Sequence, residues 1–215
     1  LWGVWGLDKN RVWAVGDKGT ILHHDGRKPP GYMWWKKQTS GVNTNFRDIW
    51  GTSRHDLYAV GYSSKFLYFD GAKWSSQTAS TASSHYAVWG TGTQDVYISS
   101  KYSSILYSDR ERFPPAWVTT QTASGGGNLY GLWGLNSKAV LAVGIGGLIV
   151  HFDGTSWKPM TSGVTTTLQD VRPTALNHTY AVVSAGVILR RHRQGRQHPI
   201  STTHDTLYHA CGTSP

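Results

Sequence analysis

The chain has 215 residues, 39% of them hydrophobic, with 25 Gly, 11 Trp and a formal net charge of +9. That length allows one sizeable core, and no apolar run approaches the roughly 20 residues of a membrane-crossing helix. The one cysteine, Cys211, excludes an intrachain disulfide and any metal site built on several thiolates.

The chain opens inside a repeating unit. Its phrase Val4-Trp5-Gly6 returns as Ile49-Trp50-Gly51, Val88-Trp89-Gly90 and Leu132-Trp133-Gly134, and is worn down to Val171-Arg172-Pro173. Counted along the Trp position, the spacings are 45, 39, 44 and 39 residues. Leu1 already sits within a copy and no initiator Met precedes it, so a fragment or a processed form is expected.

Within each copy the phrase is the first predicted strand. Eight residues on, a second strand begins at Trp13, Tyr58, Tyr97, Leu141 or Tyr180. A Gly/Ser turn such as Gly16-Asp17-Lys18-Gly19 follows, then a third strand, as in Ile21-Leu22-His23, Phe66-Leu67-Tyr68 and Ile149-Val150-His151. That strand closes on Asp25-Gly26, Asp70-Gly71 or Asp153-Gly154, a hairpin signal because tight turns of the primed types need the positive φ that Gly reaches freely. Trp35, Trp74, Trp117 and Trp157 open a fourth strand, and Ser/Gly/Thr-rich links lead to the next phrase.

Four short antiparallel strands recurring about every 40 residues are the pattern of a β-propeller, one copy per blade. The expected fold is therefore all-β: four-stranded antiparallel blades with five repeats visible, either five-bladed or part of a six- to eight-bladed ring. Blade repeats fall at 1–42, 43–81, 82–125, 126–164 and a degenerate 165–193. The first strand is expected to line a crowded central channel, with its Trp packed between blades.

Residues 194–215 read as a polar, His-rich tail, because after Leu189 the Asp-Gly turn becomes Arg191-His192-Arg193 and no Trp strand arrives. It is expected either to lack order or to supply a last strand through Thr206-Leu207-Tyr208. Arg190, Arg191, Arg193 and Arg196 crowd this end, while the other cations are scattered without a basic stripe or interleaved aromatics, which weighs against a nucleic-acid partner.

The stretches Asp48-Ile49-Trp50-Gly51-Thr52-Ser53, Asp56-Leu57-Tyr58-Ala59-Val60-Gly61, Gly19-Thr20-Ile21-Leu22-His23 and Asp153-Gly154-Thr155-Ser156-Trp157 resemble the repeats of bacterial WD/YVTN/BNR-like propeller proteins, a group that includes photosystem II assembly-factor-like propellers. The resemblance runs from residue 1 to about 190. It implies the fold and an extracellular or cell-surface setting, and leaves activity open. The full Asp-box of sialidases is absent; only its Asp-Gly-x-x-Trp core stands at Asp70–Trp74 and Asp153–Trp157.

Glycoside hydrolysis generally needs a pair of carboxylates. The chain has a single Glu, Glu111, and eight of its 11 Asp fall at repeat positions: Asp48 and Asp170 before the phrase, Asp56 and Asp95 in the turn after it, and Asp25, Asp70, Asp109 and Asp153 closing the third strand; turn chemistry is the expected role there. His23 and His151 share one repeat position, so they belong to different blades and do not converge on a metal. No Gly-x-Ser-x-Gly elbow or phosphate-cradling loop appears. No catalytic residue, cofactor or metal is therefore expected.

Function on a repeat scaffold sits where copies differ. Two long loops before the fourth strand do so: residues 27–34, with Tyr32, Met33 and Trp34, and residues 110–116, with Phe113. The opposite rim, at the turns after the second strand, offers Asp17, Lys18, Tyr62, Lys65, Lys101 and Tyr102. Aromatic groups with a polar tip suit a protein partner or a stacked sugar. The expected role is a non-enzymatic binding scaffold for a protein; the alternative is a lectin-like propeller for a glycan, and a glycosidase is the weaker third class. The candidate contacts are Tyr32, Met33, Trp34, Phe113, Lys18, Tyr62 and Tyr102.

Overall fold

The computed structural model describes residues 1–26, 34–79, 83–108, 118–122, 126–175, 178–184, 187–191, 197–202 and 207–209. Among them, twenty strands form five four-stranded antiparallel sheets, each in simple sequence order. The first holds β1 (Gly3–Asp8), β2 (Arg11–Val15), β3 (Ile21–His24) and β4 (Trp35–Gln38). The second holds β5 (Phe46–Ser53), β6 (Asp56–Gly61), β7 (Lys65–Phe69) and β8 (Trp74–Thr78). The third holds β9 (His85–Gly90), β10 (Val96–Ser100), β11 (Ser104–Ser108) and β12 (Val118–Thr122). The fourth holds β13 (Leu129–Asn136), β14 (Ala139–Gly144), β15 (Ile149–Phe152) and β16 (Trp157–Met160). The fifth holds β17 (Leu168–Ala175), β18 (His178–Val183), β19 (Val187–Arg191) and β20 (Gln197–Thr202). This is the meander of propeller blades.

The repeat sets the register of each sheet. Trp5 pairs with Trp13, Trp13 with His23, and His23 with Lys36. The second sheet repeats the line as Trp50, Tyr58, Tyr68 and Ser75, and the fourth as Trp133, Leu141, His151 and Lys158. Flat side chains directly opposite one another on a sheet face stack. Ring centroids lie 5.8 Å apart for Trp5–Trp13, 4.2 Å for Trp13–His23 and 5.2 Å for Tyr58–Tyr68. His23 and His151 thus occupy stacking positions in separate sheets. Among the described residues, no group of three His, Cys, Asp or Glu is placed to hold a metal ion.

The chain divides into two compact units. One comprises residues 1–98 and 106–119, the other 99–105 and 120–215. In the first unit, Trp13, Val15 and Ile21 of the first blade bury against Ile49, Leu57, Ala59, Leu67, Phe69 and Trp74 of the second. The Trp74 indole donates to Gln38 Oε1 at 2.9 Å. The Trp50 ring lies where a Cβ on Gly90 would come within 2.6 Å, so the Gly of one phrase makes room for the Trp of the one before. In the second unit, Leu141, Val143 and Ile149 pack against Leu168, Val171, Ala181, Val183 and Leu189.

Two expectations need correction. The fifth sheet has its fourth strand: β20 pairs along β19 within the segment assigned to a polar tail. An outermost strand is hydrogen-bonded on one side only, so it needs neither a Trp nor a full set of N–H donors, and it tolerates Pro199 opposite Leu189. Leu207 and Tyr208, proposed for that strand, lie outside any strand. Second, Asp48 and Asp170 do no turn chemistry. Each accepts the N–H of the next residue, at 2.8 Å, and Asp48 Oδ2 also accepts the Val88 N–H of the next blade at 2.9 Å. Asp48 therefore pins two inner strands together.

Candidate rim interface

At one end of the first unit, the turns after second strands meet the links between blades. Gly19 N–H donates to the Thr44 carbonyl at 2.6 Å, Lys18 N–H to Asn45 Oδ1 at 2.9 Å, and Tyr62 N–H to the Asn45 carbonyl at 3.0 Å. The link 42–45 is thus pinned to both turns. It lines an open cleft of about 440 Å³ with Val42, Asn43, Thr44, Asn45, Tyr62 and Ser63. The Thr44 hydroxyl in its wall is buried and has no hydrogen-bond partner among the described residues.

Beside this cleft the Arg47 guanidinium lies 4.8 Å from the Trp2 ring and 5.5 Å from the Tyr62 ring. Both distances fall within cation–π range. The Trp2 indole donates to Asp17 Oδ1 at 2.9 Å, and Tyr62 meets Tyr86 edge-on at 6.0 Å. Trp2 and Tyr62 stay 39% and 49% exposed, a large aromatic area held in place while facing water. Gly3 lets this form: a Cβ there would come within 2.8 Å of Asp48 Cα, so only Gly allows β1 to bring Trp2 up to Arg47.

Backbone conformation singles out the same end of the blades. Among the described residues, Lys18, Tyr102 and Ser103 are the non-glycine residues with positive φ, at 55°, 60° and 56°. Left-handed backbone costs a side-chain-bearing residue energy and clusters where function needs it. Tyr102 belongs to the second unit, where it is 59% exposed with Lys101 Nζ 4.7 Å from its ring. There the Ser103 hydroxyl donates to the Gly127 carbonyl at 2.9 Å.

Tyr62 therefore lines the cleft of the first unit, Lys18 is joined to the cleft's link through its backbone bond to Asn45, and Tyr102 belongs to the second unit. Trp34 lies at the other end of the first sheet, stacked on His24 at 5.6 Å. Tyr32, Met33 and Phe113 lie outside the described residues. Sequence reasoning missed Trp2, Arg47 and the Asn43–Asn45 link. A signal was present: three residues before each phrase Trp stand Trp2, Arg47, Tyr86 and Tyr130, so that one cation interrupts a row of aromatic side chains.

The recurring carboxylates have structural partners. Asp70 accepts backbone N–H bonds from Lys73 and Ala72, both at 2.9 Å, which hold its carboxyl below the usual range. Lys158, with the Ser156 and Thr155 N–H groups, does the same for Asp153. A glycosidase acid needs the opposite shift.

No family model matches the sequence, and no curated protein matches it. Solved structures do. The chain superposes on a catalytically inactive virginiamycin B lyase from Staphylococcus aureus with quinupristin at a TM-score of 0.76 and 10% identity, covering 93% of this chain and 69% of that one. The WD40 β-propeller domain of Doa1 gives 0.73 at 11% identity, covering 95% and 69%. YCF48 bound to D1 peptide gives 0.65 at 15% identity, covering 92% and 65%. The fold is that of a β-propeller with four-stranded blades, and at these identities the likeness extends to the fold alone.

Proposed function

We propose that the protein is a non-enzymatic binding propeller that docks a peptide segment of a protein partner on the rim of its first unit. The observation that carries this reading is Arg47 held against the exposed rings of Trp2 and Tyr62 beside the 440 Å³ cleft. Fixed aromatic and Arg side chains are the usual energetic centres of protein interfaces, because they offer large contact area at little entropic cost. The polar cleft walls match the alternating donors and acceptors of an extended peptide backbone. Among the described residues no carboxylate pairs with Arg47, and Lys18 and Lys65 add positive charge at this end. Support also comes from a propeller of the same fold, YCF48, which was solved with a bound peptide.

The test is selection from a random-peptide display library, followed by fluorescence anisotropy on the winning peptides. Arg47→Ala, Trp2→Ala and Tyr62→Ala are each expected to weaken binding at least tenfold, as truncation of an interface centre does. Trp34→Ala, at the other end of the blade, should leave it unchanged. Equal binding by all four variants overturns the reading.

A further inference from the structure

His85 stands out against the repeat. Four residues before the phrase Trp or Arg, the second, fourth and fifth blades carry Phe46, Leu129 and Leu168, each exposed by 1% or less. The third blade places His85 there, also 0% exposed. A polar ring in an apolar site must find hydrogen bonds or cost stability. His85 bonds to the backbone of Ser64, whose carbonyl also accepts the Ala79 N–H at 3.5 Å, and packs edge-on against Phe66 at 6.2 Å. Ser64 closes the turn that carries Tyr62 and Ser63, while Tyr86, next to His85 on β9, meets the Tyr62 ring.

We propose that His85 is a positioning residue for the rim site: bonded to Ser64 from beneath, it fixes the 62–64 turn and so the placing of Tyr62 beside Arg47. A Phe or Leu at this position fills the space and leaves the turn without that bond, as in the other blades.

The arrangement has a built-in dependence on acid. Burial pushes the His85 imidazole down to about 4, opposed only by the Ser64 bond. The titratable and charged groups on the elements around it are Tyr62 on the turn, Tyr86 on its own strand, and Arg47 and Asp48 on β5, where Asp48 accepts the Val88 N–H of the His85 strand; Lys65, next to Ser64, is exposed. Protonation places a charge in an apolar site with no carboxylate acting on it among the described residues. Relief comes through movement of the 62–64 turn.

The proposal deepens the rim reading but is tested without a ligand. Protein labelled with carbon-13 at tyrosine and histidine rings is titrated from pH 7 to 3 and followed by NMR. The expected result is that the Tyr62 ring resonance moves with the His85 midpoint, and that this movement vanishes in His85→Leu and His85→Phe. A Tyr62 resonance that ignores the His85 titration overturns the proposal, as does one that still follows the same midpoint in either variant. If both variants fail to fold, the wild-type co-titration decides alone. Loss of peptide binding in Arg47→Ala reads the site itself, so the two ideas fail separately.

Discussion

The turn after β2 in the first unit and the turn after β14 in the second share one backbone path and differ in side chains. Lys18 and Gly19 have φ of 55° and 68°; Gly146 and Gly147 have 66° and 74°. The second residue of each pair is Gly for a packing reason. A Cβ on Gly19 would sit 2.0 Å from the Val42 carbonyl oxygen, and one on Gly147 would sit 1.9 Å from that of Val164. The first residue is under no such limit, since a Cβ on Gly146 meets nothing within 4 Å. The fourth blade takes the relaxed option there. The first blade takes Lys18 and the third takes Tyr102, accepting strain in exchange for an exposed side chain, while Ser103 is buried and its hydroxyl donates to the Gly127 carbonyl. A left-handed residue with a side chain, where a sibling blade shows Gly, thus marks the end of the scaffold that has something to present.

The largest expected effect separates close approach from strain. Gly19→Ala should destabilise by about 4 kcal/mol, since it adds a clash with the link to the left-handed penalty. Gly146→Ala should cost about 1.5 kcal/mol, the penalty alone. Urea unfolding of both variants checks this; equal losses would show that the Val42 carbonyl does not restrict the turn.

Next comes acid. A His whose pKa is lowered to about 4 on folding, from 6.5 when unfolded, makes the unfolded chain bind more protons between those values. Stability is then complete above pH 6.5 and falls as the pH drops towards 4, by about 3 kcal/mol in all. His85→Leu, which copies the fourth and fifth blades, should flatten that slope. Denaturant midpoints at pH 7 and 4.5 measure the difference.

Asp48→Ala should cost about 2 kcal/mol, because the Ile49 and Val88 N–H groups of two packed inner strands lose their acceptor. Hydrogen exchange at Val88 should then speed up ahead of exchange at Val60. The smallest effect has the opposite sign: Tyr102→Gly should stabilise by about 1 kcal/mol by releasing left-handed strain. A melting temperature that falls instead would show that the Tyr102 ring earns more in packing than its backbone loses.

How far the sequence could be read differs by residue. The strands that carry Trp50, Tyr58 and Tyr68 were legible, because the phrase, the eight-residue offset and the Asp-Gly turn recur from copy to copy. The last strand was not, since Gln197–Thr202 lacks both the Trp and the Asp-Gly signal and shows itself only in its pairing with β19. Asp48 and Asp170 looked like turn residues because they recur. Their role depends on the next backbone N–H and, for Asp48, on a strand 40 residues away. Lys18 and Tyr62 were singled out by their place at the turns after the second strand. Arg47 was passed over because its one signal, a cation three residues before the phrase Trp, gives no partner; its meaning comes from Trp2 and Tyr62, which approach from different strands and turns.

By itself the sequence determined the blade: repeat length, strand order and hairpin turns, all local or periodic properties of the chain. Tertiary structure alone decided which side chains share the rim cleft, why Gly3, Gly19 and Gly90 admit no side chain, and where His85 finds its hydrogen bond. Those depend on approaches of a few ångströms between segments far apart in sequence, and no local pattern encodes such distances.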